Sequence, residues 1–121
     1  MPVYTIYHRT SDDFNPKLVA TRLTNLHSSV TGAPRDAVKV IFLRLDEDSF
    51  FSGGKSKQDY VRVVGQIRQG RSEEQKLRIL KGMHDVVEQC FALTAAEKEV
   101  QTQIVEIDDT KTVMTNGVLN T

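Results

Sequence analysis

Val3-Tyr4-Thr5-Ile6-Tyr7 is rich in β-branched and aromatic residues and gives way to Ser11-Asp12-Asp13, the pattern of a strand and its exit loop. Asn15-Pro16 then predicts a helix start, because an asparagine side chain accepts from the free N–H groups of a first turn and a proline at N1 has no N–H to leave unsatisfied. Leu18, Val19, Leu23, Leu26 and Val30 recur at helical spacing and give one apolar face, which Gly32 and Pro34 end. Val38 to Leu45 is an almost unbroken apolar run of strand length, as expected for a strand covered on both faces. Region 46–59 is polar and holds Gly53-Gly54, so it reads as a long loop or a hairpin excursion, with Phe50-Phe51 packing it down. Tyr60 to Ile67 supplies a third strand. Ser72-Glu73-Glu74-Gln75 has the form of a capping box, and it opens a second helix whose apolar face is Leu77, Leu80, Met83, Val87 and Phe91. Thr94-Ala95-Ala96-Glu97 resembles another capping box on a single short turn. Val100 to Ile107 reads as a fourth strand, diluted by Gln101 and Gln103.

The order strand, helix, strand, long connection, strand, helix, strand suggests a duplication. Val3 and Tyr60 are 57 positions apart, and so are the caps Asn15 and Ser72, whereas Val38 and Val100 are 62 apart. The expectation is a single domain over residues 1–121 made of tandem βαβ units, at about 2–45 and 59–107, in the α/β (α+β) class. Four strands, mainly parallel or mixed, form one sheet with both helices on one face. The other face keeps apolar side chains from the second and third strands, so the architecture calls for self-association.

Composition agrees with a folded chain: 121 residues, 39% hydrophobic and 26% charged. Sixteen basic residues balance sixteen acidic ones, so no whole-molecule field gathers nucleic acid or anionic lipid. Cys90 is the only cysteine, which suits a reducing, cytoplasmic compartment. The longest apolar run is far too short for a membrane span, and the N-terminus shows no signal peptide.

Chemistry is harder to place. There is no Walker loop, no Gly-x-Gly-x-x-Gly, no Cys-x-x-Cys and no His-x-x-x-His, so neither metal nor cofactor is expected. Gly53-Gly54-Lys55-Ser56 reads as a loop tip rather than a phosphate loop. His8, His27 and His84 form no ligand set by spacing, and His84, on the apolar stripe of the second helix, reads as a core histidine. Position two stands out. If Met1 is removed, Pro2 carries a free secondary amine; α-amines ordinarily titrate at about 7.7–8.0, and burial or neighbouring guanidinium groups push that lower, toward a usable base. If Met1 stays, the Pro2 nitrogen is an amide without useful basicity, and Met-Pro is also a common chain start that carries no function. Arg68-Gln69-Gly70-Arg71 before a helix N-terminus combines two cations with backbone N–H groups and suits a carboxylate, unless the arginines only pair with Glu73 and Glu74 in solvent.

Pro2-Val3-Tyr4, Leu26-His27, Val30-Thr31-Gly32, Phe51 with Gly53-Gly54, and Arg68-x-Gly70-Arg71-Ser72 together resemble the tautomerase superfamily, in particular its branch with cis-3-chloroacrylic acid dehalogenase. The resemblance runs in order over roughly residues 2 to 90. It implies a homotrimer with inward-facing sheets, Pro2 as the catalytic base, His27 as a catalytic contact to substrate carboxylate or water, and Arg68 with Arg71 as the carboxylate-binding pair. The branch also uses a tyrosine on the last strand and a glutamate soon after it to activate water, and here Gln103 and Met114 fall there, with Thr115 one residue along. Glu106, Asp108 and Asp109 are close in sequence but need a different backbone path to stand in. The first expectation is therefore a tautomerase acting on a small 2-oxo or enol carboxylate. A cofactor-independent hydratase or dehalogenase of a short unsaturated or 3-halo acid is the second, and a non-catalytic trimeric binding protein the third.

Overall fold

β1 (Val3–Arg9), α1 (Pro16–Thr31), β2 (Lys39–Leu45), β3 (Phe51–Ser52), β4 (Lys55–Ser56), β5 (Tyr60–Arg68), α2 (Glu73–Cys90) and β6 (Glu99–Ile107) follow one another along the chain. The structure is a computed structural model and describes residues 1–9, 13–46, 48–56, 60–91 and 99–115. The capping box expected at Thr94 to Glu97 lies outside the described residues.

Both helix starts are made as the sequence dictates. Asn15 Oδ1 accepts from the Leu18 N–H at 3.3 Å, and Ser72 and Gln75 cap each other reciprocally. Helix α1 ends at Gly32, whose φ of 77° lies in the left-handed region that glycine enters without a Cβ penalty.

The main sheet has the order β2-β1-β5-β6. β1 runs parallel to β2 and antiparallel to β5, and β5 runs parallel to β6. Two βαβ units thus meet edge to edge through β1 and β5, and the sheet is mixed. Region 46–59 contains the hairpin excursion, with β3 and β4 joined through Gly53 and Gly54, both at positive φ. Phe50 stacks on Tyr60 at 4.3 Å between ring centroids, whereas Phe51 is exposed at the hairpin.

Strand periodicity sorts the side chains. Tyr4, Ile6, Val61, Val63 and Ile67 point toward the helices and join Val19 and Leu23 of α1 with Ile79, Met83 and Val87 of α2 in the core. Two expectations about helix faces are corrected. Leu77 is 66% exposed and Ile79 takes its place inward, because 79, 83 and 86–87 keep the helical period that 77 leaves. His84 is half-buried at the surface, 3.5 Å from Glu88, while His27 is wholly enclosed in the core and His8 is buried as well.

On the opposite face Ile41, Leu43 and Val105 remain exposed, so the apolar β2 is covered on one side only within the chain. Among the described residues no helix is long and apolar enough to cross a membrane.

Candidate functional site

Antiparallel pairing of Val3 with Gln66 sets the start of β1 beside the end of β5, so Pro2 stands level with Ile67 and next to Arg68. Pro2 is buried, and its carbonyl accepts from the Lys39 N–H at 3.0 Å, which anchors it into the ladder toward β2. Parallel pairing places Ile107 opposite Arg68, and the Gln69 N–H donates to the Ile107 carbonyl at 2.9 Å. Beyond β6 the chain turns back in a short 3-10 turn, Asp109–Lys111. Asp108 caps that turn by accepting from the Thr110 hydroxyl at 2.8 Å and from its N–H at 3.0 Å. Those two donors hold the Asp108 carboxyl below the usual carboxylate range. One end of the sheet therefore gathers the N-terminus, the turn after β5 and the turn after β6.

The turn after β5 reverses direction at Gly70, whose φ of 97° a side chain would strain. It delivers Arg71 to the Ser72 cap, where Ser72 Oγ accepts from the Gln75 N–H at 3.1 Å and Gln75 Oε1 from the Ser72 N–H at 3.0 Å. Gln75 Nε2 also donates to the Val30 carbonyl at 3.1 Å, tying the start of α2 to the end of α1. The capping box thus consumes the N–H groups of Ser72 and Gln75, and anion binding here falls chiefly to the guanidinium groups. Burial weakens the hold of Arg71 on its proton, and the Arg68 cation adds to this, against the opposing pull of Asp109 and Tyr4. A guanidinium so placed stays charged and gains most from an added anion.

Tyr4 lies two residues along β1 from Pro2, on the same strand face. Its hydroxyl and His27 Nδ1 share a hydrogen bond of 2.6 Å inside the core. Burial raises the Tyr4 hydroxyl above the phenol range, while Arg71 acts in the other direction. On the other side, the terminal amine of Met1 lies 3.6 Å from Asp109 Oδ1.

Pro2 and the Arg68–Arg71 turn lie at the same end of the sheet, and His27 is wholly enclosed in the core behind them, on the Tyr4 hydroxyl. Of the other two sequence candidates, Gln103 stands elsewhere, while Glu106 pairs with Ile67 and so sits at the level of Pro2, two strands across the sheet. Gln103 pairs in register with Val64, on the open face, and accepts from Arg62 at 2.9 Å. Four residues of strand, about 13 Å, separate it from the level of Arg68. Glu106 is held at 3.0 Å by Lys76, which also reaches Glu73 at 2.7 Å. These three residues line a separate cavity of about 380 Å³ with Leu77, Leu80 and Ile104. Tyr4 was not legible as a site residue, although its alternation with Pro2 along the strand was the available signal. Asp109 stood out in the sequence only as an acid near the end of the last strand, because the turn after β6 has no residue pattern that places it at the N-terminus.

A family model described as "Putative oxalocrotonate tautomerase enzyme" matches residues 1–120. Among solved structures, native Ps01740 is 25% identical with a TM-score of 0.80, covering 93% of this chain and 99% of that one. N1, a member of the cis-3-chloroacrylic acid dehalogenase family, is 28% identical with a TM-score of 0.76, covering 98% and 83%. A fused 4-OT described as a symmetric trimer shares the fold at 17% identity and a TM-score of 0.77, covering 98% and 95%. No curated protein matches the chain.

Proposed function

From a chain that belongs to this tautomerase family, whose superfamily consists generally of enzymes, we propose a tautomerase that moves a proton between carbon and oxygen of a small 2-oxo or enol carboxylate. The observation that supports the reading is the register that sets Pro2 beside the end of β5, where the turn carrying Arg68 and Arg71 begins. Once Met1 is removed, the Pro2 secondary amine takes a proton from the enol hydroxyl or the carbon next to the carbonyl and returns it to the other atom. Arg68 and Arg71 hold the carboxylate and favour the negative charge that develops on oxygen. His27, through the Tyr4 hydroxyl, keeps that strand face in one arrangement. The same residues suit a homotrimer in which each site is completed by a neighbouring sheet, in a cytoplasmic setting without cofactor.

The test is ketonisation of phenylenolpyruvate by protein lacking Met1, beside Pro2→Ala and Arg71→Ala. Loss of at least 100-fold in kcat for Pro2→Ala is expected, on the order of a general base's contribution. Equal rates for all three proteins overturn the reading.

Likeness to N1 favours a second reading, hydration or dehalogenation of a short unsaturated acid at the same site. It ranks second because Gln103 is turned to Arg62, four strand residues from the Arg68 level, and the Glu106 carboxylate, although level with Ile67, is occupied by Lys76. Halide release from a 3-haloacrylate at a rate above ketonisation reverses the order.

A further inference from the structure

Asp109 has no role in the proton transfer above, yet its surroundings are those of a working charge. Its side chain is 14% exposed, and neither carboxylate oxygen has a hydrogen-bond partner among the described residues. A carboxylate enclosed in this way is retained only where cations compensate it. Two do so here: the terminal amine at 3.6 Å and the Arg71 guanidinium, whose charge Asp109 favours. Among the described residues this end also carries Arg68 on β5, Tyr4 on β1, Lys39 on β2, Asp108 and Lys111 on the turn itself, and Glu106 on β6, which Lys76 of α2 pairs together with Glu73. Asp108 is occupied by Thr110.

We propose that Asp109 is the counter-ion of the processed N-terminus: with Met1 gone, its carboxylate pairs with the protonated Pro2 amine and fixes that amine at the mouth of the arginine pair. The geometry allows it, since removing one residue withdraws the amine by at most about 3.6 Å of chain, a retreat that a rotation of the Asp109 side chain follows. The Pro2 carbonyl stays anchored to Lys39, so the amine cannot swing away. The site then holds Pro2 between opposed charges, with Asp109 favouring the ammonium form and Arg68 and Arg71 the neutral base. Asp109 is a positioning residue in this scheme, and the pH at which Pro2 becomes a base is what it governs. The inference rests on Pro2 being the base of the proposed tautomerase.

The experiment uses assembled protein without Met1, labelled with 15N-proline, and follows the Pro2 amine by NMR from pH 5 to 10. Asp109→Asn is expected to move its midpoint about one unit lower, as loss of one opposite charge within a few ångströms does. Asp109→Glu is expected to restore most of that shift, and Asp108→Asn to leave the midpoint where it was. The acid limb of kcat/KM for ketonisation should move with the NMR midpoint. An unchanged midpoint in Asp109→Asn overturns the proposal. If the neutral variant does not fold, the unsubstituted protein decides: the Asp109 carboxyl 13C shift moves through the Pro2 midpoint if the two are paired, and stays flat through it if they are not. Because NMR reads pairing without turnover, a protein that shows the shift and ketonises nothing refutes the tautomerase and keeps the counter-ion.

Discussion

Tyr4 and His27 are joined by a 2.6 Å hydrogen bond between two side chains that are both wholly enclosed, 23 residues apart in sequence. The bond fastens β1 to α1 directly behind the N-terminus, so the strand that carries Pro2 cannot slide relative to the helix. Tyr4→Phe keeps the ring and its packing but leaves His27 Nδ1 without the hydroxyl. Such a change costs about 1–3 kcal/mol when a buried polar group loses its partner. The expected result is a lower urea midpoint with an unchanged slope.

The same hydroxyl makes a prediction about alkaline pH. Burial keeps it protonated in the fold beyond the range where an exposed phenol ionises, so the native state holds this proton more tightly than the unfolded chain. Its contribution to stability is whole below the unfolded value of about 10 and is lost as pH rises above it. Unfolding free energy measured from pH 8 to 11 should therefore fall more steeply for the unsubstituted protein than for Tyr4→Phe. Tyr60, also raised by burial, is common to both proteins and cancels. Parallel curves refute this assignment of the alkaline loss.

Gly65 is opposite Tyr4 in the ladder. A Cβ there meets Tyr4 Cε1 at 3.0 Å and Cδ1 at 3.3 Å, with Met83 Cε at 3.5 Å. The ring has nowhere to retreat, since the core surrounds it. Gly65→Ala should destabilise by about 1–3 kcal/mol, the usual cost of overfilling a core, and should lengthen the Tyr4–His27 bond. Thermal melts give the first quantity and the His27 ring 15N shifts report the second. A variant as stable as the parent, with unmoved shifts, shows that the ring has slack.

The elements of this fold were legible because they depend on local chemistry. Asn15, Ser72 and Gly32 cap the helices through neighbours within a few residues, and the alternation in β1 comes from the strand's own pleat. The direction of β5 against β1 was not legible, because tandem βαβ units fit either way until the long connection is placed. The site was partly legible for the same reason. Pro2 and the Arg68–Arg71 turn announce themselves by residue type, while Asp109 comes to the N-terminus only through the register of β6 on β5 and the turn capped by Asp108. On α2 the expected Met83, Val87 and Phe91 are buried, but Leu77 and His84 fall at the edge of the stripe, and Ile79 and Val86 fill the inward face in their place.

Arg71 is expected to matter to substrate binding more than its exposed position in sequence suggests. It stands where burial and Arg68 both make an extra positive charge unwelcome, so a carboxylate arriving there relieves the pair. Arg71→Ala should raise KM for an enol carboxylate by about 10- to 100-fold, the worth of one charged hydrogen bond. Arg71→Lys should recover less than half of that on the free-energy scale, because an ammonium lacks the planar two-pronged donor. Equal KM values for all three remove Arg71 from the binding site.

Assembly follows from the face of the sheet that the helices leave bare. Ile41 and Leu43 on β2 and Val105 on β6 are 45%, 43% and 37% exposed on that side, with Val3, Thr5, Tyr7 and Val64 between them in register. At about 25 cal/mol per Å² of apolar surface, covering several hundred Å² per chain contributes on the order of 10 kcal/mol. That is of the same size as the cost of association, about 4–15 kcal/mol. Arg62 does not break the patch, because it lies over the Tyr7 ring, 5.7 Å from its centroid, and donates to Gln103. A cyclic arrangement of three chains turns three such faces toward one axis and hides them together. Light scattering at micromolar concentration should give three times 13.6 kDa. The double substitution Ile41→Lys and Leu43→Lys puts two cations per chain into the buried face and should reduce the mass to that of one chain while both helices persist by circular dichroism. A monodisperse monomer from the unsubstituted protein refutes the trimer.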